Sequence, residues 1–357
     1  MLNSVGYAAL APDMALKPIK FLRRKLRPKD IQFQILYCGI CHTDLHIARN
    51  EWNNTIYPVV PGHEIVGRII NVGERVTKFS VGDQVAVGCM IDACRTCDSC
   101  SEGLEQYCQN GFTGTYNSKD RETGEVNFGG YSDSMVVTED FLFHLPKNLD
   151  IKASAPLVCA GVTTYSPLKY WKVGRGVKVG VVGLGGLGHM AIKLASALNA
   201  EVTLITTSPN KEADAIRLGA NRVIVSKNEN EMKKNTNKLD FIINTIPDEH
   251  DINPYIDLLK RDGTIVMVGG GSVQPGFDSN KIIFGRKNVT GSLISGIRET
   301  QELLDIQNVN DAFERLKKAD VKYRFVIDMS SLMLPSDHSR SSEGYAKSLQ
   351  IQDTPVN

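Results

Sequence analysis

No stretch of the sequence approaches the roughly 18 uninterrupted apolar residues of a membrane-spanning helix. The first ten residues, MLNSVGYAAL, also lack the basic segment and long apolar run of a secretory leader. The expectation is therefore a cytoplasmic protein with no membrane partner. An excess of one charge sign is missing too. Lys and Arg number 41 against 40 Asp and Glu, a formal net charge of +1, so nothing provides a general field for nucleic acid or anionic lipid. There are no internal repeats. Hydrophobic residues at 42% and charged residues at 23% are ordinary globular usage, which excludes collagen-like and disordered classes. What is present is length and cysteine. A chain of 357 residues has room for about two domains. Its 8 cysteines, without a leader, read as metal-binding or catalytic rather than as a disulfide framework.

Between residues 30 and 87, the short apolar runs IQFQILYCG, EIVGRIINVG and DQVAVG are separated by Gly, Pro and Asp turns, the pattern of a β-rich, barrel-like region. Residues 90–130 are polar and glycine-rich with little periodicity, so metal is the candidate for holding them. From Gly176 the pattern changes to strand, glycine turn, helix and strand: VKVGVVG, GLGHMAIKLASALNA, EVTLIT, then RVIVS, LDFIINTI and GTIVMVGG. Such alternation indicates a parallel, doubly wound sheet. RETQELLDI and NDAFERLKKAD read as helices, FVID as a strand, and residues 330–357 as a disordered tail without periodicity.

Cys94, Cys97, Cys100 and Cys108 give C-x2-C-x2-C-x7-C. Short gaps let neighbouring sulfurs converge on one tetrahedral ion, which suits a closed structural Zn²⁺ site. An iron–sulfur cluster is the chemical rival. Cys41, His63 and Cys159 together would leave one tetrahedral position open, as a catalytic zinc needs, although each residue alone reads more readily as structural. Gly183, Gly185 and Gly188 form G-x-G-x-x-G between an apolar strand and a helix, with Gly186 and Leu187 opening that helix. The first glycine makes the turn, the second lets a pyrophosphate approach and the third allows close packing. At the end of the next strand, where an NAD enzyme presents Asp or Glu to the ribose, stand Thr206, Thr207 and Ser208, with Lys211 beyond. Hydroxyls and a cation in place of an acid favour the 2′-phosphate of NADP(H).

GICHTDLH, PGHEIVG, the four-cysteine loop, LVCAGVTTYSPL and VVGLGGLGHMAIKLA stand in the order found in zinc-dependent medium-chain alcohol dehydrogenases. EWNNTIYPVVPGHEIVG, GGYSDSMVV and DVKYRFVID resemble the cinnamyl alcohol dehydrogenase-like branch, and the likeness runs from residue 1 to about 329. The resemblance implies an α/β fold: a GroES-like β-barrel catalytic domain (residues 1–157 and 297–329, with a zinc lobe near 90–110) and a Rossmann domain (158–296). It implies Cys41, His63 and Cys159 as catalytic zinc ligands, and Glu64 as an occasional ligand or an orienting carboxylate. Thr43 and His46 become a proton relay, histidine being the side chain that titrates nearest neutrality. Thr163 joins the cofactor-binding residues. Trp52 and Tyr57 stand in the loop preceding the His63 motif, a place that borders the substrate, although Trp52 reads equally as a packing residue. A homodimer that exchanges hydride between NADP(H) and an aldehyde or primary alcohol, cinnamyl types included, is the implied enzyme. Relatives that reduce carbon–carbon double bonds often lack the Thr or His, so having both favours carbonyl chemistry. Asp44, His144 and His189 receive no chemical role.

One departure stands out. After RETQELLDI the family continues with more helix and a strand, whereas Ile306 here runs at once into QNVNDAFERL. Loss of an interior strand would leave unpaired backbone or an apolar gap. That shortening supports an alternative: a degraded homologue that binds NADP(H) and zinc without catalysis. A zinc-linked nucleic-acid module is a further class, but it lacks a basic patch and leaves the glycine fingerprint unexplained.

Overall fold

Residues 1–305 and 325–332 are described in the computed structural model. They gather into two compact units, Met1–Cys159 with Gly296–Asp305 and residues 325–332, and Ala160–Ser295.

In the first unit, β1 (Leu2–Ala8) and β2 (Lys17–Arg23) form an antiparallel pair. β3 (Asp30–Gly39) alternates as expected, with Ile31, Phe33 and Ile35 turned into the core. It pairs antiparallel with β4 (Glu64–Val72), which in turn pairs with β5 (Gln84–Val87). β6 (Met90–Asp92) and β7 (Thr113–Gly114) form a short ribbon at the base of the cysteine loop. β8 (Ser134–Thr138) lies on β3, β9 (Phe143–His144) on β5, and Val326–Asp328 on the far end of β3.

The second unit is a parallel sheet of β10 (Lys178–Val182), β11 (Glu201–Thr206), β12 (Arg222–Val225), β13 (Leu239–Asn244), β14 (Leu259–Met267) and β15 (Asn288–Gly291). Its order is β12-β11-β10-β13-β14-β15. Val179, Val181, Leu204, Ile242, Ile243 and Ile265 are fully buried, the continuous apolar runs of strands covered on both faces. The order reverses between β10 and β13, and ligands of such sheets bind at the carboxyl ends of the strands flanking that reversal.

The RETQELLD part of the expected helix lies in the helix Ile297–Asp305. NDAFERLKKAD and the shortened stretch at Ile306 lie outside the described residues, as does the tail beyond Leu332. The tail expectation needs one correction: Met329–Ser331 form a 3-10 turn, because the Asp328 carboxylate accepts the Ser330 N–H at 3.0 Å. No helix among the described residues is long and apolar enough to cross a membrane.

The glycine turn after β10 follows the packing logic of its motif. Gly183 has φ +90°, and a Cβ on Gly188 would stand 2.1 Å from the Gly183 carbonyl oxygen. Gly188→Ala must therefore push strand and helix apart. A loss of about 1–3 kcal/mol is expected from such overpacking, read from urea unfolding of the full chain; unchanged stability would mean the turn is looser than the contact implies.

Candidate active site

Strand pairing delivers three separate stretches of sequence to one place. Gly39 at the end of β3 pairs with Glu64 at the start of β4, so Cys41 and His63 emerge side by side. Glycine is required at 39, since a Cβ there would lie 2.0 Å from Glu64 Oε2. Gly88, just past β5, plays the same part for the third stretch. A Cβ at 88 would meet the Val158 carbonyl oxygen at 2.6 Å, and its absence lets the chain bring in Cys159. The donor atoms of Cys41, His63, Glu64 and Cys159 consequently all lie within 4.8 Å of one another.

His63 Nε2 is 3.2 Å from Cys159 Sγ, and the sulfurs of Cys41 and Cys159 are 4.0 Å apart. Ligands at Zn–S and Zn–N bond lengths on a tetrahedron are separated by about 3.5–3.8 Å, so the spacing fits zinc. Electrostatics agree. The Cys41 and Cys89 sulfurs, together with burial, push the Cys159 thiol well above its ordinary pKa, a cost that a cation among them would remove. Cys89 thus faces this cluster, although its sequence context did not single it out.

Asp44 holds the site from behind. It is buried, and its two oxygens face four donors: Cys41 N–H (2.9 Å), Gly62 N–H (3.0 Å), Tyr131 O–H (3.0 Å) and His63 Nδ1 (3.1 Å). The last contact sets the tautomer and leaves Nε2 facing the sulfurs. Burial opposes charge on His63, yet the Asp44 carboxylate together with the Cys89 and Cys41 sulfurs overcomes it and raises the ring's pKa well above the ordinary value. Nothing in its sequence context marks Asp44, because its partners are assembled only by folding.

Cys41 caps the helix His42–Ala48, which carries Thr43 and His46. The Cys41 thiol lies 3.7 Å from Thr43 Oγ1. His46 Nδ1 is hydrogen-bonded to Glu51, its ring stacks on Trp52 with centroids 5.3 Å apart, and its buried Nε2 has no partner among the described residues. Glu51 is a further residue that sequence reading missed. Tyr57 donates its hydroxyl to the Ala48 carbonyl at 2.8 Å and packs with Trp52 on this helix.

The four-cysteine loop forms its own cluster, with Cys94, Cys97, Cys100 and Cys108 donor atoms also within 4.8 Å. The Thr96 N–H, and then the Asn110 side chain, bring the Cys94 thiol down to about 5. Burial instead pushes Cys100 up to about 12. Donors that stabilise one thiolate and a buried sulfur that needs a cation both suit a metal. The other two histidines meet backbone carbonyls: His144 Nε2 contacts that of Lys78 at 3.0 Å and His189 Nδ1 that of Gly185 at 3.2 Å.

In the second unit, Gly183–Gly188 and the end of β11 are neighbours, since Val182 pairs with Ile205. Gly185 caps the helix Gly186–Ala197, with open space where its Cβ would be. Gly186 and Leu187 begin that helix, whose N-terminal N–H groups favour an anion. Thr206 Oγ1 accepts the Ser208 N–H at 3.2 Å, Thr207 is exposed, and Lys211 Nζ reaches the Leu184 carbonyl at 3.2 Å. Lys211 is thereby folded over the glycine turn. Thr163 is buried in the helix Ala160–Tyr170, which packs against Gly186–Ala197.

Residues 27–147 match the model of the alcohol dehydrogenase GroES-like domain, and residues 186–308 that of the zinc-binding dehydrogenases. Cinnamyl alcohol dehydrogenase 7 of Arabidopsis thaliana is 47% identical over 94% of this chain and 98% of its own length. Aldehyde reductase YahK of Escherichia coli is 45% identical over 93% and 99%. The structure of a cinnamyl alcohol dehydrogenase from Helicobacter pylori, complexed with NADP(H), superposes with a TM-score of 0.84 at 40% identity, covering 93% of this chain and 99% of that one. With both family models matched and 47% identity to a cinnamyl alcohol dehydrogenase across nearly the whole chain, the chain belongs to the zinc-dependent medium-chain alcohol dehydrogenases, in their cinnamyl alcohol dehydrogenase-like branch.

Proposed function

We propose that the chain exchanges hydride between NADP(H) and an aldehyde or primary alcohol, aromatic ones included, using residues 1–157 and 297–329 as catalytic domain and 158–296 as nucleotide domain. The carrying observation is the convergence of Cys41, His63, Glu64 and Cys159 next to the helix bearing Thr43 and His46. Cys41, His63 and Cys159 would hold the catalytic zinc with Glu64 in reach, and the four-cysteine loop a structural zinc. Bound zinc supplies Lewis-acid polarisation of the substrate oxygen, and the nicotinamide the hydride chemistry.

The remaining work falls to side chains. Thr43 offers its hydroxyl to the substrate oxygen, and His46, held by its hydrogen bond to Glu51, moves the proton outward. Trp52 shields the ring that must hold that proton. Lys211, Thr207 and Ser208 would receive the 2′-phosphate, and the NADP(H)-bound relative supports that choice. Relatives named as cinnamyl alcohol dehydrogenase and aldehyde reductase support the substrate class. None of the 8 cysteines is joined in a disulfide, which suits the reducing cytoplasm. A homodimer is favoured by the edge position of β15 and by exposed Val273, Ile283 and Phe284 nearby in sequence. The direct test is NADPH oxidation with a panel of aliphatic and aromatic aldehydes.

The metal reading expects two zinc ions per chain of unequal lability. Cys159→Ala should lose one zinc and nearly all turnover. Asp44→Asn should weaken that zinc by about 10–100-fold, measured by chelator competition. Because Asp44 favours a proton on metal-free His63, protons compete with zinc, and this ion should leave first as the pH falls. Iron with visible absorbance, or a single tightly held metal, would sink the two-site reading.

The relay should be separable from metal binding. His46→Ala should keep both zincs while lowering kcat by about 10²-fold or less and altering its pH profile. Glu51→Gln should act in the same direction more weakly, and Thr43→Val more severely than Thr43→Ser, which keeps the hydroxyl. An unchanged kcat and pH profile in both Thr43→Val and His46→Ala would require another proton path.

For the cofactor, Lys211→Ala should raise KM for NADPH and leave KM for NADH nearly unchanged in steady-state assays. Equal losses with both would remove the 2′-phosphate from Lys211.

A further inference from the structure

The nucleotide crevice has a second wall that the glycine fingerprint does not describe. After β14 the chain makes the turn Val268-Gly269-Gly270-Gly271, and this turn hangs from Asn244, the last residue of β13. The Asn244 carbonyl accepts the N–H of Val268 at 3.0 Å and of Gly269 at 3.3 Å. A Cβ on Gly269 would lie 2.6 Å from the Ile246 backbone, whereas one on Gly270 would meet nothing within 4 Å. The turn is thus pressed against the β13 loop on one side and bares its backbone to open space on the other. Gly185 has the same bare character. The neighbouring Thr245 ties the β13 loop to the fingerprint, its Oγ1 donating to the Val182 carbonyl at 2.7 Å.

Asn244 is fully buried, and its side chain is held in one orientation. Oδ1 accepts the Ile246 N–H at 3.2 Å, so Nδ2 is the donor facing His250 Nε2 at 2.8 Å. Nε2 must therefore accept, and the ring proton sits on Nδ1, which donates to the Asp248 carbonyl at 2.7 Å. Gln274 closes the circuit: its Oε1 accepts the His250 N–H at 3.3 Å and its Nε2 donates to the Asp248 carbonyl at 3.1 Å. Ser272 N–H adds a bond to the Pro247 carbonyl at 3.2 Å. The imidazole thus pins the β13 loop across Asn244 and Asp248, and the β14 loop is tied to that loop by the carbonyls of Asn244 and Pro247 and by the Gln274 side chain.

We propose that His250 is a positioning residue for the dinucleotide. As the Nδ1–H tautomer it closes a hydrogen-bond circuit through Asn244 that fixes the Val268–Gly271 turn at the edge of the crevice. The inference rests on the NADP(H) reading given above. Without the ring, the buried Asn244 Nδ2 keeps only the weak acceptor Met267 Sδ, at 3.4 Å, and the Asp248 carbonyl loses the Nδ1–H, so the β13 loop from which the glycine turn hangs is loosened.

The test is a fluorescence titration of the zinc-loaded full chain with NADPH and with NADH, alongside zinc content and kcat at saturating cofactor. His250→Leu should raise the Kd for NADPH about ten-fold, keep both zincs and leave saturated kcat within about two-fold. His250→Gln, which restores an acceptor, should stay within about three-fold of the native Kd. Should His250→Leu fail to fold, Gln274→Leu removes only the outer arm and should raise Kd at least about three-fold. A native Kd in the folded leucine variant, or in Gln274→Leu where that variant stands in, overturns the proposal. So does a glutamine variant as weak as the leucine one, or a loss confined to kcat. A native chain that binds neither cofactor overturns the NADP(H) reading itself, and the positioning role with it.

Discussion

The register between β3 and β4 is the constraint on which the first unit depends. With Gly39 opposite Glu64, the residues just beyond the pairing are Cys41 on one strand and His63 on the other. A slip by one residue would turn Ile31, Phe33 and Ile35 out of the core. The same apolar alternation that builds the barrel sheet therefore fixes the geometry of the metal cluster. Glycines at 39 and 88 complete the arrangement by removing the side chains that would stand where Glu64 and the chain before Cys159 must pass.

Charge then divides the labour. In the open cluster a buried Asp44 is satisfied by four donors and lends its charge to His63, orienting a neutral ligand. In the four-cysteine loop the stabilising groups are mostly the chain's own N–H donors, as with Gln109 N–H at 3.4 Å from Cys97 Sγ. A loop wrapped around its own sulfurs forms a closed site. The other cluster is gathered from three distant segments and braced by Asp44 from a fourth position, so its geometry depends on the fold of the whole unit.

The second unit uses backbone for the same purpose. Glycine turns after β10 and β14 leave bare main chain at the sheet's reversal point, and each is braced from below: Gly183 by Thr245 and the close approach of Gly188, Gly269 by Asn244 and Ile246. The stiffness of these turns comes from backbone bonds and from the side chains of neighbours, because glycine has no side chain to contribute.

Local pattern made much of this legible. Alternation in IQFQILYCG, the two-residue gaps of the cysteine loop and the glycine fingerprint are short-range signals, since a strand period, a metal's coordination sphere and a tight turn each involve residues close in sequence. The sequence by itself determined the sheet types, the metal-binding character of the cysteine loop and the chemistry that Cys41, His63 and Cys159 could share. Only the tertiary structure decided which neighbours govern those groups: Asp44 against His63, 19 residues away, and Tyr131, 87 away; Glu51 and Trp52 against His46; His250 against Asn244. A carboxylate or an imidazole carries no mark in the sequence of what it will face. Its partner is chosen by the packing of strands and loops, and that packing reflects the burial of the whole chain.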